Sequence, residues 1–449
     1  MHRVRSNPKV GILDHLGGGN LGDDATFATI LQQVKSRWPA ADVIGFSMAP
    51  ADTRARHGVT AYPIRREIWD ISYQPGQEDP RGKRGWKETL RQIPLLFKVI
   101  RAIKSVSFGP FAEVLQEIVF LLRASRSVRS LDVMIIGGGG QLLDSWGGAW
   151  KFPYTILKWI ILARLHGAQC YVVNVGAGPL KQKLSRYFIC SALSLSHYVS
   201  FRDEDSRALV ERAGYAKARL VFPDCVYGLD FSGGAERHEP QRLTIVGVSP
   251  MAYQDRRRYW TEDWDAYYKL ISTLAVFGDQ LLVQRAHLKI FSTDISFDAG
   301  ALSDFQKALV EGGPGQAAGQ YVSPKIDDIE GLLQMIASLD FVVTCRFHGV
   351  VFAHLMQKPV LAISHHPKVK TLMRDLGLSE YCFDIRDARA HTLMAGYERL
   401  KENELSIRSQ MADKARQYRN TLEEQFDELF GTSAIRVREA IETLSGQGV

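Results

Sequence analysis

The sequence is poor in cysteine and lacks the spacings that would make its cysteines metal ligands. Only five occur among 449 residues, and no two form a CxxC pair. They stand at Cys170, Cys190, Cys225, Cys345 and Cys382. Thiols scattered in this way are typical of small apolar core residues in a reducing compartment. We therefore predict no metal ligand among them and a cytoplasmic location.

Long apolar runs are also missing. Charge or proline interrupts each apolar stretch before it reaches the length needed to cross a bilayer. Residues 1–13 enter a strand without the apolar core of a secretory signal. A hydrophobic content of 45% and a charged content of 23% are typical of globular proteins. A chain of this length predicts two or three domains.

Several familiar functional motifs are absent. No Gly-Lys-Ser/Thr follows a glycine-rich turn, which excludes a P-loop. Neither a Gly-x-Ser-x-Gly elbow nor an HExxH pair occurs. The net charge of +7 comes from one segment, since residues 81–130 hold eleven Lys and Arg against three Glu. This basic segment lacks the interleaved aromatic residues of a nucleic-acid platform, so we predict no nucleic-acid partner.

The basic segment has two interpretations. Apolar residues recur at helical spacing through residues 90–103 beside Lys98, Arg101 and Lys104, and a second apolar run covers residues 114–122. One interpretation is a helical hairpin packed on a sheet, with its basic face in solvent. The other is a peripheral anchor on an anionic membrane. The residues alone leave both open.

Apolar strands, glycine-containing turns and helical segments alternate along the chain. This alternation favours an α/β fold with parallel sheets covered by helices on both faces. A polar, glycine-rich stretch at residues 231–242 predicts a linker between two Rossmann-like domains that face a cleft. We predict an N-terminal domain over residues 1–230 with an insert at about 70–130, a C-terminal domain over 243–390, and a helical extension over 391–449.

The second domain begins with the same alternation. Residues 243–248 predict a strand, residues 264–277 a helix and residues 280–284 the next strand. Residues 312–319 form a glycine-rich loop without acidic or aromatic side chains to hold a nucleotide's ribose and base. The sequence therefore gives no direct sign of a nucleotide site in this domain.

Residues 340–349, DFVVTCRFHG, are the most informative stretch of the second domain. Residues 340–344 predict a buried strand and Gly349 opens a helix, so Arg346 and His348 lie at a strand-to-helix junction. Backbone N–H groups and the helix dipole favour an anion there. A permanent cation beside a titratable imidazole suits chemistry on an acidic substrate. The alternative is structural, with Arg346 paired to a carboxylate and His348 capping the helix.

Polar groups also follow neighbouring strands. His365 and Lys368 come directly after the strand at residues 360–364 and add positive potential to the same edge. Arg202 and Asp224 end strands of the first domain, and glycine turns there permit close approach of backbone to a ligand. Each of these residues also has an ordinary interpretation as a cap, an ion pair or a packing glycine. The predicted cleft residues are Asn20, Asp23, Gly138, Gly139 and Gly178.

Taken together, these motifs resemble the polysaccharide pyruvyl transferase family. The similarity is collinear over residues 9–385. It is carried by GGGNLGDDA, IIGGGGQLLD, NVGAGPL, FRDEDS, FPDCVYGL, VGVSP, TCRFHGVVFA and KPVLAISHHPKV. The last two are the most specific, although Phe347 stands where the family commonly carries leucine.

The resemblance implies a GT-B-like fold and a ketal-forming transferase. Its donor would be phosphoenolpyruvate, with no further cofactor, and its acceptor a sugar of a polysaccharide or lipid-linked oligosaccharide precursor. His348 is the predicted general acid, and Asp224 or Asp23 would accept the proton of the sugar hydroxyl. Arg346, beside His348, would hold the carboxylate or phosphate of the donor. The other predicted donor contacts are Arg202, His365, Lys368 and Gly349.

Two other functions compete with this one. The first is a GT-B glycosyltransferase that uses a nucleotide-sugar, and the second is a glycan-binding relative without turnover. Many acceptors of the family are lipid-linked oligosaccharides at the inner face of the plasma membrane. The basic segment at residues 81–130 would then make peripheral contact with anionic lipid.

Overall fold

A computed structural model describes residues 7–66, 109–231, 243–255, 263–312 and 321–431. It contains two parallel sheets with helices on both faces, as the alternating pattern predicts. Residues 232–242 of the predicted linker, residues 313–319 of the glycine-rich loop and most of the basic segment lie outside the described residues.

The first sheet has seven strands in the order β3-β2-β1-β4-β5-β6-β7. The strands are β1 Lys9–Leu13, β2 Asp42–Ser47, β3 Thr60–Pro63, β4 Val133–Gly137, β5 Gln169–Val175, β6 Tyr198–Phe201 and β7 Leu220–Val221. The helices are α1 Leu21–Arg37, α2 Pro50–His57, α3 Gly109–Val128, α4 Phe152–Leu165, α5 Lys183–Leu195 and α6 Glu204–Arg212. The strand order reverses between β1 and β4, where parallel α/β sheets open a ligand crevice at the carboxyl ends of the strands.

The second sheet has six strands in the order β10-β9-β8-β11-β12-β13. The strands are β8 Ile245–Ser249, β9 His287–Ile290, β10 Tyr321–Val322, β11 Phe341–Thr344, β12 Val360–Ser364 and β13 Cys382–Asp384. The helices are α7 Trp264–Val283, α8 Ala299–Gly312, α9 Ile329–Ala337, α10 Phe347–Leu355, α11 Pro367–Asp375, α12 Ala390–Glu402 and α13 Glu404–Phe430. Its order reverses between β8 and β11, so the loop after β11 lies at the crevice of this sheet.

The predicted strand at residues 280–284 is wrong. Helix α7 continues through these residues, and the strand that follows is β9. Leu274, Phe277 and Leu281 are buried at helical spacing, so their apolar face holds the last turns of α7 on the sheet. Short apolar runs do not distinguish a strand from a buried helix, which explains the error.

The two sheets meet along the segment that precedes α1. The Leu21 N–H donates to the Thr293 carbonyl at 2.8 Å, and the Ile295 N–H donates to the Gly19 carbonyl at 2.9 Å. Asn20 and Asp294 form an isolated antiparallel bridge between them. These contacts bring the loop after β9 against the start of α1. The carboxyl ends of the two sheets therefore share one cleft.

The last helix returns to the first sheet. The Gln425 amide donates to Asn174 Oδ1 at 2.7 Å and accepts from Asn174 Nδ2 at 2.9 Å, joining α13 to the end of β5. Arg37 of α1 forms an ion pair with Glu423 at 2.7 Å. Within the described residues, no helix is both long and apolar enough to span a bilayer.

Candidate active site

The junction after β11 folds as a sharp strand-to-helix turn. Arg346 occupies the N-cap position of α10, and its backbone N–H donates to Thr344 Oγ1 at 3.1 Å. A Cβ on Gly349 would lie 2.2 Å from Thr344 Oγ1, so only glycine lets α10 begin this close to the strand. The turn thereby presents His348 from the first turn of α10 towards the cleft.

His348 crosses the cleft and packs on the first domain. A Cβ on Gly22 would lie 1.9 Å from His348 Nδ1, so a side chain there would take the place of the imidazole. His348 is only 8% exposed, and its Nε2 has no hydrogen-bond partner in the described part of the chain. The imidazole does not cap α10. Its ring instead stands between the two domains with one nitrogen unpaired.

Burial controls the charge of His348. Loss of solvent lowers the pKa of the imidazole to about 4, and the nearby Arg202, Lys368 and Arg346 act in the same direction, while Asp224 acts against them. At neutral pH the imidazole is therefore neutral in the protein by itself. An anion bound beside these cations would oppose their effect and raise its pKa.

Two cations of different domains converge on Phe347. The Arg202 guanidinium lies 4.4 Å from the centroid of the ring and Lys368 Nζ lies 5.6 Å from it. Burial, together with the nearby Arg202 and Arg346, lowers the pKa of Lys368 to about 8. Arg202 also lies 3.3 Å from Asp203 and 3.5 Å from Asp224. The aromatic face at position 347 thus helps to hold two cations at the cleft.

Arg346 has a carboxylate partner within its own domain. Its Nε and Nη2 donate to the two carboxylate oxygens of Asp298 at 2.8 and 2.5 Å. Asp298 is fully buried and also accepts from the Ala252 N–H at 2.9 Å and from Ser292 Oγ at 2.8 Å. Arg346 is therefore paired with a carboxylate, as the structural interpretation predicted. Its predicted contact with a donor stays a prediction.

The start of α1 supplies the acidic wall of the cleft. Burial, with Asp294 and Asp24 nearby, raises the pKa of Asp23 to about 7 against the opposing influence of Lys368 and Arg202. A Cβ on Gly139 would lie 3.3 Å from Asp23 Oδ1, and Gly139 has a φ of +60°. The glycine turn after β4 therefore permits close approach to the Asp23 carboxylate.

The remaining predicted residues are helix caps, buried polar groups and closely packed glycines. Asn20 is the N-cap of α1 and accepts from the Gly22 N–H at 3.0 Å. Asp224 is buried and accepts from the Val226 N–H at 3.1 Å. His365 lies after β12, and burial lowers its pKa to about 3, with Lys368 adding to the effect. Gly138 and Gly178 pack against Thr26 and Leu209, where a Cβ would lie 2.2 and 2.7 Å away.

Several residues that the fold brings to the cleft were not predicted from the sequence. Asp294 and Asp298 follow β9, and the misplacement of that strand hid their position at a strand end. Asp14 and His15 follow β1 directly. Their place in the sequence could have identified them, because residues at the carboxyl ends of parallel strands face the crevice. Within the described residues, no group of three or more His, Cys, Asp and Glu is arranged to hold a metal ion.

Comparisons with known proteins decide the family. A family model described as polysaccharide pyruvyl transferase matches residues 20–367. The chain belongs to this family. The amylovoran biosynthesis protein AmsJ of Erwinia amylovora is 21% identical over 316 residues, which are 67% of this chain and 72% of AmsJ. Family membership implies a transferase that acts on polysaccharide.

Solved structures support the fold of this family member. A putative UDP-N-acetylglucosamine 2-epimerase from Listeria monocytogenes is similar with a TM-score of 0.53 at 11% identity, covering 99% of this chain and 98% of that one. The N-terminal domain of a Candida albicans trehalose-6-phosphate phosphatase gives a TM-score of 0.52 at 12% identity, covering 94% and 98%. These likenesses confirm the predicted GT-B-like fold of two parallel α/β domains.

Proposed function

We propose that this chain transfers a pyruvyl group from phosphoenolpyruvate to a sugar of a polysaccharide or lipid-linked oligosaccharide precursor and closes a cyclic ketal. The observation that carries the proposal is the pair of cations, Arg202 and Lys368, on the Phe347 ring beside His348. Lys368 lies in the first turn of α11, and Phe347 and His348 lie in the first turn of α10, where helix N-termini also favour an anion. Phosphoenolpyruvate is small and strongly anionic, which suits such a site.

In the proposed reaction the donor's charges are held by Arg202 and Lys368. His348 gives its proton to the methylene carbon of the donor, which becomes a methyl group and leaves positive charge at C2. A sugar hydroxyl adds to C2 and loses its proton. The C2–O bond to phosphate then breaks, and a second hydroxyl adds with loss of its own proton. One proton is consumed and two are released, of which one leaves with inorganic phosphate as HPO₄²⁻.

The carboxylates Asp23 and Asp224 are proposed to accept the protons of the sugar hydroxyls. With a pKa of about 7, Asp23 is partly ionised at neutral pH, which suits a group that exchanges protons. Asp224 lies 3.5 Å from Arg202 and contributes the opposing influence that raises the pKa of His348. The two carboxylates thus stand beside the donor cations, within the cleft.

Phosphate release from phosphoenolpyruvate, measured with a panel of glycan acceptors, tests the proposal. The variant Lys368→Met is expected to raise KM for phosphoenolpyruvate about 10- to 100-fold, because a charge-assisted contact contributes about 1.5–3 kcal/mol. Lys370→Met is the matched control, since Lys370 lies on the same helix but is exposed and pairs with Asp384. An equal change in both variants would contradict the assignment.

Thermal shift separates this function from the two that compete with it. A ligand that binds the folded state raises its melting temperature. We expect stabilisation by phosphoenolpyruvate and none by nucleotide-sugars. Stabilisation by a nucleotide-sugar instead would indicate a glycosyltransferase. Stabilisation by phosphoenolpyruvate without phosphate release would indicate a relative that binds without turnover.

We also propose peripheral contact with anionic lipid through the basic segment at residues 81–130. Residues 81–108 lie outside the described part of the chain, but α3 exposes an apolar stripe beside Arg123 and Arg126. The stripe consists of Val114, Leu115, Ile118, Val119 and Leu122. Apolar side chains next to cations are the pattern that binds at an anionic lipid surface.

Vesicle flotation tests this contact. The wild type is expected to float with vesicles that contain phosphatidylserine. With neutral phosphatidylcholine vesicles it should remain in the bottom fraction, unbound. The double variant Leu115→Gln/Leu122→Gln should lose flotation, because it removes apolar area from the stripe. Leu405→Gln is the control, as Leu405 is an exposed leucine of α13. Flotation of the double variant at the wild-type level would refute the contact.

A further inference from the structure

Three buried polar groups at the crevice of the first sheet lack hydrogen-bond partners among the described residues. They are Asp14 Oδ2, His15 Nε2 and Gln141 Oε1. Asp14 and Gln141 are fully buried and His15 is 5% exposed. A buried polar atom without a partner is destabilising, and native proteins rarely leave such atoms together. Their position after β1 and β4 is where this fold class binds ligands.

Hydrogen bonds fix the orientation of these groups. Gln141 Nε2 donates to Asp14 Oδ1 at 2.5 Å and to the Gly137 carbonyl at 3.1 Å. The backbone N–H of His15 donates to the same Asp14 oxygen at 2.6 Å. One oxygen of Asp14 and the amide nitrogen of Gln141 are therefore engaged, which holds Asp14 Oδ2 and Gln141 Oε1 in place as acceptors. Acceptors held in this way are preorganised for a ligand that donates hydrogen bonds.

An aromatic surface adjoins the acceptors. The ring centroid of His15 lies 3.8 Å from that of Phe152 and 6.0 Å from that of Trp146, and Trp146 and Phe152 are 5.7 Å apart. Trp146 is 45% exposed although it belongs to this cluster. An exposed indole beside fixed acceptors can cover the C–H face of a pyranose ring while the acceptors take its hydroxyl protons.

This group of residues is continuous with the donor side of the cleft. A Cβ on Gly139 would lie 3.3 Å from Asp23 Oδ1 and 3.9 Å from Asp14 Oδ1, so both carboxylates border the same point of the backbone. Burial raises the pKa of Asp14 well above its usual range, and the nearby Asp23 adds to that effect. Lys368 and Arg202, across the cleft, in turn lower the pKa of Asp23. A hydroxyl held at Asp14 would thus lie beside the proposed proton acceptor.

We propose that Asp14, His15, Gln141 and Trp146 form the subsite for the acceptor sugar, a pyranose with a free diol. The inference rests on the proposed function and names the acceptor side of that site. Sugar hydroxyls donate to Asp14 Oδ2 and Gln141 Oε1, His15 Nε2 pairs with a further hydroxyl, and the C–H face of the ring covers Trp146. The cations that favour an anionic group lie on the other wall, where they hold the donor. This subsite therefore selects a neutral sugar.

Steady-state kinetics with both substrates varied test the subsite. Trp146→Ala and Gln141→Leu are each expected to raise KM for the acceptor about 10-fold or more and to leave KM for phosphoenolpyruvate unchanged. Trp146→Ala removes the aromatic contact to the sugar, and Gln141→Leu removes one acceptor together with a hydrogen bond that orients Asp14. Trp150→Ala is the control: Trp150 is a more exposed tryptophan of the same loop that packs on Tyr154 and Phe188. An unchanged acceptor KM in both variants, or equal changes for both substrates, would overturn the subsite.

Direct binding separates a failure of the subsite from a failure of the proposed function. The probes are methyl glycosides of common hexoses and N-acetylhexosamines, titrated by calorimetry into the full-length chain. If the wild type releases no phosphate but binds a glycoside that Trp146→Ala does not bind, the proposed function fails and the subsite stands. If phosphate is released and Trp146→Ala and Gln141→Leu both bind the glycoside as tightly as the wild type, the subsite fails and the function stands.

Discussion

Replacing His348 with asparagine is expected to lower kcat for pyruvyl transfer by about 10²- to 10⁴-fold, because the donor carbon would lose its proton source. Asparagine retains a polar side chain of similar reach, so the close packing of α10 on Gly22 should survive. The melting temperature should therefore stay near that of the wild type. Phosphate release under saturating donor and acceptor measures the effect.

The pKa of His348 adds a pH signature to this variant. Burial and the neighbouring cations lower it to about 4, and a bound anion would raise it towards neutrality. At a pH between the pKa of His348 in the free protein and its pKa in the complex, donor binding should take up a proton. The affinity for the donor should fall as the pH rises through this range. Calorimetry in buffers with different ionisation enthalpies measures this uptake, which His348→Asn should lose.

His391→Asn serves as the control for both measurements, because His391 is an exposed histidine at the start of α12. Its kcat and its proton uptake should match the wild type. A His348→Asn variant with wild-type kcat would exclude His348 as the acid. Asp23, with a pKa of about 7, would then be the next group to test.

The strand-to-helix junction was predictable because its pattern is local. An apolar strand followed within a few residues by a glycine and an apolar helix specifies the turn that presents His348, and parallel sheets place such turns at one edge. The close approach of His348 to Gly22 was not predictable, since it depends on how two domains pack. Nor was the neutral state of the imidazole, because its cause is burial rather than a neighbouring residue in sequence.

The wrong strand at residues 280–284 also affected the prediction of the partner of Arg346. The sequence allowed a structural carboxylate for Arg346 but did not identify it. Asp298 stands in the loop after β9, and the misplaced strand at residues 280–284 removed that loop from the predicted cleft edge. The prediction therefore grouped Arg346 with Arg202 and Lys368 as donor contacts without the carboxylate that pairs with it. In the structure, Arg202 and Lys368 lie on the Phe347 ring.

Removal of Arg346 alone is expected to destabilise the fold strongly. Arg346→Met would leave the fully buried Asp298 carboxylate without its cation, and loss of one partner of a buried ion pair costs about 3–5 kcal/mol. Urea denaturation measures the free energy of unfolding. Arg374→Met is the matched control, because Arg374 pairs with Asp375 at an exposed position and such pairs contribute about 0–1 kcal/mol.

Adding Asp298→Asn to Arg346→Met should restore most of the lost stability. The second change removes the unpaired buried charge. The amide oxygen of asparagine can still accept from the Ala252 N–H, and its NH₂ group can donate to Ser292 Oγ. Since the two changes together remove a neutral pair, the potential felt by a donor at Arg202 and Lys368 should alter little. A double variant that folds stably yet no longer binds phosphoenolpyruvate would instead show that Arg346 contacts the donor directly. A double variant as unstable as Arg346→Met would show that the guanidinium stabilises the turn through contacts other than Asp298.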